Sequence, residues 1–335
     1  MDRYAVCGAT GAVGQEVIRL LIERSLATQP EQIALYTSAR SAGQSMETGL
    51  GAITTEEFQP EKVKDFKAVF LCVSGDFSKQ HAAVLQEQNA LVIDNSSAFR
   101  YDDSVPLVVP EINADAIGEH TLIANPNCTT AILVMALWPL YQTYGLKRVI
   151  VSTYQAASGA GHAGMSELQD ATSATLNAEN YIPEVFQHSL AFNIIPHIDA
   201  FQENGYTKEE MKVTWETRKI FANPELALSC TAVRIPALRA HSESVSIETE
   251  KLVDAEKARA LLRATTGVEV VDEPTENQYP MPLSATGKDA IEVGRIRNNP
   301  VFGEYGLDFF VSGDQLLRGA ALNAVLIAEA AATTP

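Results

Sequence analysis

Short apolar runs separated by polar linkers recur through the first 125 residues. The first run, Tyr4 to Cys7, is followed by glycines and then by apolar residues at helical spacing, which predicts a strand, a tight turn and a helix. Further apolar runs cover residues 33–36, 68–73, 90–93, 107–109 and 121–124. The linkers leave room for crossovers between parallel strands, so this half is predicted to be a doubly wound α/β domain.

The pattern changes after residue 128. An apolar helix is predicted at 129–141 and a β-branched strand at 148–154, followed by a helix at 166–180, a loop-rich stretch at 181–206 and alternating strands at 245–250 and 309–312. This half should be an α+β domain with a mixed or antiparallel sheet. The alanine-rich segment 319–332 is apolar on more than one face, so it is expected to pack back onto the first domain.

Composition and charge narrow the class of protein. A chain of 335 residues exceeds what one core usually serves, and its net charge of −17 repels nucleic acid. The longest apolar run, 131–141, contains Pro139, and the chain begins without a secretory leader pattern, so a soluble, cytoplasmic protein is expected. Four cysteines without a CxxC pair predict neither a disulfide scaffold nor a structural metal.

A glycine-rich turn follows the first strand directly. Gly8, Gly11 and Gly14 let the backbone approach a pyrophosphate at a helix N-terminus, although the same glycines could simply make a tight turn. No acid occupies residues 32–46, where an NAD site would place one; Arg40 and neighbouring hydroxyls suit a 2′-phosphate, unless Arg40 is only a solvated loop residue. The candidate NADP contacts in this domain are Gly8, Thr10, Gly11, Ala12, Val13, Gly14, Ser38, Ala39, Arg40 and Ser41.

Cys128 is the candidate nucleophile. It should lie in the first turn of a helix, where the dipole and free amides favour a thiolate, whereas Cys7 and Cys72 are expected to be inert inside strands. Taken alone, Cys128 could equally be a buried structural cysteine. Gln155 ends a predicted strand, and Arg234 and His241 follow later, so a nucleophile, a proton shuttle and an anion-binding group are all present.

At these residues the sequence resembles the aspartate-β-semialdehyde dehydrogenase family across nearly its whole length. The resemblance is carried by several segments in combination, which are GATGAVG (8–14), SARSAG (38–43), DNSSAFR (94–100), NPNCTT (125–130), YQAASGAG (154–161), EEMK (209–212), RIPALRAH (234–241), GRIR (294–297) and DQLLRGAALNA (314–324).

The resemblance implies NADPH-dependent reduction of aspartyl phosphate to the semialdehyde, in the pathway to lysine, threonine and methionine. Cys128 is similar to the family's thiolate, His241 to its acid/base and Gln155 to the glutamine that positions the thioester. Arg234 would bind the substrate carboxylate, and Glu209 or Glu210 its amino group. Phosphate would meet Arg100, Lys212 and Asn127, and the nicotinamide would lie near Ser158, Gly159 and Gln315.

The resemblance also implies the domain arrangement. A Rossmann-like NADP-binding domain would comprise 1–128 and 313–335, and a catalytic and dimerisation domain 129–312, joined as a homodimer or a dimer of dimers. Gln315 stands where the family usually has Asn, and His162 is expected to be an exposed loop histidine without a role. The alternatives are N-acetyl-γ-glutamyl-phosphate reductase, glyceraldehyde-3-phosphate dehydrogenase and a catalytically silent nucleotide-binding paralogue.

Overall fold

A computed structural model of the chain describes residues 2–88 and 90–333. The predicted domain limits also include Met1, Asn89, Thr334 and Pro335, which lie outside the described residues. The strands are β1 Tyr4–Cys7, β2 Ile33–Thr37, β3 Ser45–Thr48, β4 Gly51–Thr54, β5 Glu56–Glu57, β6 Ala68–Leu71, β7 Leu91–Asp94, β8 Leu122–Ala124, β9 Arg148–Gln155, β10 Ala227–Arg234, β11 His241–Glu248, β12 Val268–Val270, β13 Ile291–Asn298 and β14 Gly306–Gly313. The α-helices are α1 Ala12–Glu23, α2 Gly75–Glu87, α3 Pro110–Asn113, α4 Cys128–Tyr144, α5 Gly161–Leu176, α6 Lys208–Ile220, α7 Ala255–Arg263, α8 Pro282–Ala285 and α9 Leu322–Thr333.

The chain divides into two compact units. The first unit is Met1–Asn127 with Ala320–Pro335, and the second unit is Cys128–Gly319. The predicted domains are 1–128 with 313–335 for NADP binding, and 129–312 for catalysis and dimerisation. These functions stay predictions, because the division into compact units does not test what each unit binds. Within the described residues, no helix is long and apolar enough to cross a membrane.

The main sheet of the first unit has the predicted parallel arrangement. Its strand order is β5-β2-β1-β6-β7-β8, and every pair is parallel. All four residues of β1 and of β6 are buried, as expected for strands covered on both faces. A Rossmann-like fold is therefore confirmed for this part of the chain.

The predicted strand at 107–109 is wrong. Leu107 makes only an isolated parallel bridge to Ala124, because Pro106 and Pro110 have no N–H with which to continue the ladder on either side. The Val109 N–H and the Leu107 carbonyl face away from β8 and bond the Asn113 side chain, whose Oδ1 accepts and whose Nδ2 donates, each at 2.9 Å. Pro110 then opens α3, so the backbone turns away before a ladder can extend.

The C-terminal helix returns to the first unit, as predicted. Helix α9 packs against α1, α3 and β7, and the carboxylate of Glu329 accepts two hydrogen bonds from Arg24 at 2.8 and 2.7 Å. Its small alanine side chains let it approach neighbours on more than one side, which explains a helix without a polar stripe.

The sheet of the second unit is mixed, which is one of the two predicted alternatives. Its order is β10-β9-β11-β14-β13-β12, with parallel pairs at both edges and antiparallel pairs between them. Helices α4 and α6 contact this sheet, and burial alternates strictly along β9, so one face of that strand is covered and the other is more open. Ile150 and Tyr154 lie on the open face, 49% and 37% exposed.

Helix α5 begins and ends earlier than the predicted 166–180. It starts at Gly161 and ends at Leu176, because the left-handed backbone of Ala178 (φ 57°) closes it. Its early start includes Gly164, where a Cβ would approach the Ala157 carbonyl to 2.5 Å, so glycine allows close packing despite its low helix propensity. His162 is exposed, but it lies in this helix and not in a loop.

One carboxyl group lies in the interior of the second unit without a partner. Glu243 of β11 is 0% exposed, and neither of its side-chain oxygens has a hydrogen-bond partner among the described residues. Burial raises its pKa well above the ordinary 4.5. The folded state therefore holds this group in its neutral form.

Glu243→Gln is expected to become increasingly stabilising, relative to the parent chain, as the pH rises. The pKa of Glu243 is higher in the folded than in the unfolded state, so at a pH between these two values folding is coupled to the uptake of a proton. The contribution of Glu243 to stability is therefore fully present below the unfolded-state pKa and is lost as the pH rises towards the folded-state pKa. Because glutamine has no such linkage, the difference in unfolding free energy should grow by about 1.4 kcal/mol per pH unit from about pH 5 up to the folded-state pKa of Glu243.

Urea unfolding at fixed protein concentration between pH 5 and 8 measures this difference. The exposed Glu276→Gln is the matched control, and it should show no such slope. A pH-independent difference for Glu243→Gln would show that the carboxyl is ionised in the folded protein.

Candidate active site

Three polar side chains meet at one end of the second unit's sheet. Gln155 is the last residue of β9, Arg234 the last of β10 and His241 the first of β11. The register pairs Arg234 with Gln155, and Ser242 with Tyr154. Because β9 and β10 are parallel and β11 is antiparallel to β9, the last residues of β9 and β10 and the first residue of β11 lie at the same end of the strands.

Cys128 is the first residue of α4, as the sequence predicts for a nucleophile at a helix N-terminus. Its side chain is half-buried. Gly319, in a π-helical turn at Leu317–Ala321, lies directly against it: a Cβ at Gly319 would stand 2.8 Å from the Cys128 Cβ and 3.0 Å from its Cα. Glycine at position 319 is therefore what allows this turn to lie so close to Cys128.

The other cysteines have different surroundings. Cys7 and Cys230 are buried, and burial raises the pKa of each thiol. Cys72 lies one residue beyond β6 rather than inside it, and burial raises its pKa to about 12. These thiols are held in the neutral, unreactive form.

His241 is fully buried and turns one ring nitrogen towards the site. Its Nδ1 accepts the Ala156 N–H at 3.1 Å, whereas its Nε2 has no hydrogen-bond partner among the described residues. Burial, and then the charge of Arg234, lower its pKa to about 3. The imidazole is therefore neutral at physiological pH, with Nε2 available to a ligand.

Arg234 is fixed from three directions. Its Nη1 donates to the Ala156 carbonyl at 2.6 Å, and its guanidinium lies 5.6 Å from the centre of the Phe186 ring. Its backbone exchanges two hydrogen bonds with Ile195, at 2.9 and 2.8 Å. Burial lowers the pKa of Arg234, and the charges of Glu209 and Cys128 act in the opposite direction. The thiol of Cys128 is therefore close enough to interact electrostatically with the guanidinium.

A chain of side chains runs from Gln155 to Lys212. Gln155 Nε2 donates to Glu209 Oε1 at 3.1 Å, and Lys212 Nζ donates to Glu209 Oε2 at 3.0 Å. Glu210 points elsewhere, since its oxygens accept the N–H groups of Thr207 at 2.6 Å and Ala232 at 2.9 Å. Of the two glutamates, Glu209 is the one that joins the predicted site residues.

The predicted nicotinamide contacts also meet in the second unit. Gly159 lies beside the site, because a Cβ there would be 2.8 Å from Arg234 Nη1 and 3.4 Å from His241 Nε2. Gln315 bonds the Ser158 hydroxyl through Nε2 and accepts the Ala240 N–H at 2.8 Å. Ala240 has a left-handed backbone (φ 68°), so Gln315 braces the turn that leads into His241.

The first unit contains a cleft beside the glycine turn. It measures about 630 Å³ and is lined by Gly8, Thr10, Gly11 and the 38–41 turn. Gly8 has φ +85°, and a Cβ there would lie 2.2 Å from the Cys72 carbonyl oxygen. Helix α1 begins after Gly11 without a side-chain cap, so the amides of its first turn, including Ala12, Val13 and Gly14, remain for an anion.

Arg100 and Asn127 lie in the first unit and are both buried. Arg100 donates to the backbone carbonyls of Asn125 and Asn95, each at 2.8 Å. These contacts fix the direction of the guanidinium without showing what it binds, so the phosphate-binding role of both residues stays a prediction.

Sequence reasoning missed several residues of these sites. Gly319 lies in the 314–324 segment, where its sequence predicts no role, and Asp199, which accepts a hydrogen bond from Lys212 at 2.7 Å, lies in a loop without a motif. In the first unit, Glu57 also lines the cleft, because β5 pairs with β2 and brings it opposite Thr37. The cleft's aromatic side chains were missed as well, and they are Tyr36, Phe58, Phe77 and His81.

Gly319→Ala is expected to lower the turnover rate of a reaction at Cys128 by about 10- to 100-fold. The new methyl group must displace Cys128, and a displacement of about 1 Å at a reacting atom costs a factor of this size. Steady-state rates and the rate of alkylation by iodoacetamide measure the effect. The control is Ser166→Ala, an exposed position in α5 that is distant from Cys128 in sequence, and it should retain full activity. Gly205→Ala would be unsuitable, because Gly205 has a left-handed backbone (φ +83°) that alanine disfavours. Unchanged kinetics for Gly319→Ala would contradict the contact.

Family models match both parts of the chain. The model "Semialdehyde dehydrogenase, NAD binding domain" matches residues 3–120, and "Semialdehyde dehydrogenase, dimerisation domain" matches residues 137–318. The second match alone covers more than half of the chain.

Relatives match over nearly their full length. The aspartate-semialdehyde dehydrogenase of Aquifex aeolicus is 44% identical over 333 residues, covering 98% of this chain and 97% of the relative. That of Bacillus subtilis is 43% identical, covering 97% and 96%. A crystal structure of aspartate semialdehyde dehydrogenase II from Vibrio cholerae, complexed with ASA, superposes with a TM-score of 0.94 at 38% identity, covering 99% of this chain and 98% of the other.

Proposed function

The chain belongs to the aspartate-semialdehyde dehydrogenase family of oxidoreductases, and on that premise we propose that it catalyses the NADPH-dependent reductive dephosphorylation of L-aspartyl-4-phosphate to L-aspartate-4-semialdehyde. The observation that carries the proposal is that Gln155, Arg234 and His241 lie together at one end of the sheet's strands. The thiol of Cys128 is close enough to interact electrostatically with Arg234. The product would serve lysine, threonine and methionine synthesis, and diaminopimelate synthesis, in the cytoplasm.

Cys128 is the nucleophile in this proposal. Its thiolate attacks the acyl phosphate carbonyl, the bond from the carbonyl carbon to the phosphate oxygen breaks, and inorganic phosphate leaves from an acyl-enzyme thioester. After reduction, the thiohemiacetal on Cys128 collapses to the aldehyde and regenerates the thiolate. The position at the start of α4 supports this role, because helix N-terminal amides stabilise a thiolate.

His241 manages the protons. Because Nδ1 accepts the Ala156 N–H, the proton of the neutral ring is on Nε2, which has no partner among the described residues; Nε2 would give this proton to the oxygen of the thiohemiacetal as it forms and take it back when the aldehyde is released. Asn127 or the Cys128 amide would stabilise the intermediate's oxyanion, an effect worth about 3 kcal/mol in other acyl-transfer enzymes. Gln155, held by Thr153 and Glu209, positions the thioester.

Charged side chains bind the substrate. Arg234 would pair with its α-carboxylate, and Glu209 with its amino group, since Glu209 and not Glu210 faces the site residues. Phosphate is assigned to Arg100, Lys212 and Asn127. Such cations must act locally, because the chain as a whole carries a charge of −17.

The cleft of the first unit supports NADP as the cofactor. The glycine turn, where Gly8 has no room for a Cβ, would hold the pyrophosphate, and Ser38, Ala39, Arg40 and Ser41 the 2′-phosphate. When bound, the reduced nicotinamide supplies a hydride to the acyl carbon. Ser158, Gly159 and Gln315 would flank the ring, although Gln315 also braces Ala240. Glu57 is the acid of the cleft, so NAD must be tested alongside NADP.

A homodimer, or a dimer of such dimers, is the proposed assembly. The dimerisation-domain match spans residues 137–318 of the second unit, where the open sheet face presents Ile150 and Tyr154. A second copy covering that face would bury these side chains.

The reverse reaction tests the proposal. Purified protein is mixed with aspartate semialdehyde, phosphate and either NADP or NAD, and NADPH or NADH formation is followed by absorbance. Phosphate-dependent turnover, preferring NADP, is expected. Turnover only with N-acetylglutamate semialdehyde would indicate the reductase alternative, and tight NADP binding without turnover would indicate a silent paralogue.

A further inference from the structure

Lys212 is held between two carboxylates. Its Nζ donates to Asp199 Oδ2 at 2.7 Å and to Glu209 Oε2 at 3.0 Å, and only 13% of its side chain is exposed. An ammonium group has three N–H donors, so two of them are committed to anions. A phosphate approaching Lys212 therefore meets a cation that is already neutralised.

Asp199 is fixed in place by its own loop. Its backbone is left-handed (φ 69°), and its Oδ1 accepts the Ala200 N–H at 2.8 Å. The Ala200 carbonyl in turn accepts the Lys208 N–H at 2.7 Å, which ties the loop to the first turn of α6. The carboxylate is thus anchored on the helix that carries Lys212.

The two carboxylates have different relations to the site. Glu209 is buried and also bonds Gln155, so it is part of the proposed substrate-binding set. Asp199 is about one-third exposed, and its side chain bonds only Lys212 and Ala200 among the described residues. Among the described hydrogen bonds, the connection from Asp199 to the site therefore runs through Lys212.

We propose that Asp199 is a positioning residue that lowers the affinity of the site for phosphate, by orienting Lys212 and offsetting its charge. The inference rests on the proposed assignment of phosphate to Lys212. One ammonium and two carboxylates carry a net charge of −1, and a phosphate dianion must compete with Asp199 for the ammonium. Weak phosphate binding favours release of this product in the reductive direction.

Asp199→Asn is the decisive substitution. Asparagine tolerates a left-handed backbone as well as aspartate does, and its amide oxygen can keep accepting one of the two hydrogen bonds, so the substitution removes the negative charge and one acceptor atom. In the phosphate-dependent direction, the KM for phosphate should fall about threefold to tenfold, while kcat and the KM for aspartate semialdehyde change less than about twofold.

Direct binding of inorganic phosphate separates this inference from the proposed function. The dissociation constant of phosphate is measured for the protein with NADP, by the shift of the thermal unfolding midpoint, which needs no turnover. Asp199→Asn should bind phosphate more tightly. The tightening should disappear in the Lys212→Met background, because Asp199 acts through Lys212.

Lys288 provides a matched control. It also lies between two carboxylates, Glu269 and Glu292, each at 2.8 Å. Glu269→Gln removes one of them and should leave phosphate affinity unchanged. An unchanged or weaker affinity for phosphate in Asp199→Asn, or tightening that persists without Lys212, would overturn the inference. Failure of the parent protein to turn over would count against the proposed function alone, because the binding comparison would still decide the role of Asp199.

Discussion

Replacing Cys128 with alanine is expected to abolish phosphate-dependent formation of NADPH, with a loss of at least about 10⁴-fold in kcat. No other described thiol can substitute, because burial raises the pKa of Cys7, Cys72 and Cys230 and keeps them protonated. Steady-state assays with aspartate semialdehyde, NADP and phosphate measure the loss. NADP binding should survive, since the proposed dinucleotide cleft is lined by residues of the first unit.

The control for this variant is Cys230→Ala. Cys230 is a buried cysteine of the same unit, so its removal tests the loss of a thiol without touching α4. It should keep most of the parent activity. Substantial turnover by Cys128→Ala would show that no covalent intermediate forms on that sulfur, and the proposed mechanism would have to be abandoned.

Replacing His241 with asparagine is expected to lower kcat by about 10²- to 10⁴-fold, the usual contribution of a positioned acid or base. The imidazole is buried beside Arg234, and its pKa of about 3 keeps it neutral in the free protein. The imidazolium form of His241 is lost as the pH rises through about 3. The kcat/KM of the parent protein should therefore show no ionisation of His241 near pH 6.5. The pH profile of kcat/KM measures this.

His162→Asn makes the same substitution at an exposed position in α5, and it should leave the rate unchanged. A parent profile that follows an ionisation near pH 6.5, removed in His241→Asn, would show that His241 is more accessible to water than its burial implies. Full activity of His241→Asn would exclude it as the proton shuttle.

Local patterns were sufficient to predict much of the fold. The glycine turn after β1 and the helix that begins at Cys128 depend on neighbours in sequence, and the structure has both. In the second unit, β-branched residues and alternating polar and apolar residues predicted strands at 148–154, 245–250 and 309–312, whereas β10, β12 and β13 and the mixed strand directions were decided by the tertiary structure. The strand expected at 107–109 does not form because Pro106 and Pro110 have no N–H to continue the ladder beyond the single bridge at Leu107.

The sequence by itself determined the types of secondary structure and the chemical groups on offer, because periodicity and turn residues act over a few positions. Only the tertiary structure decided which groups meet. Strand register brings Arg234 opposite Gln155, chain return places Gly319 against Cys128, and a loop anchored on α6 sets Asp199 beside Lys212. Contacts between distant segments depend on how all the elements pack at once, which no short stretch of sequence encodes.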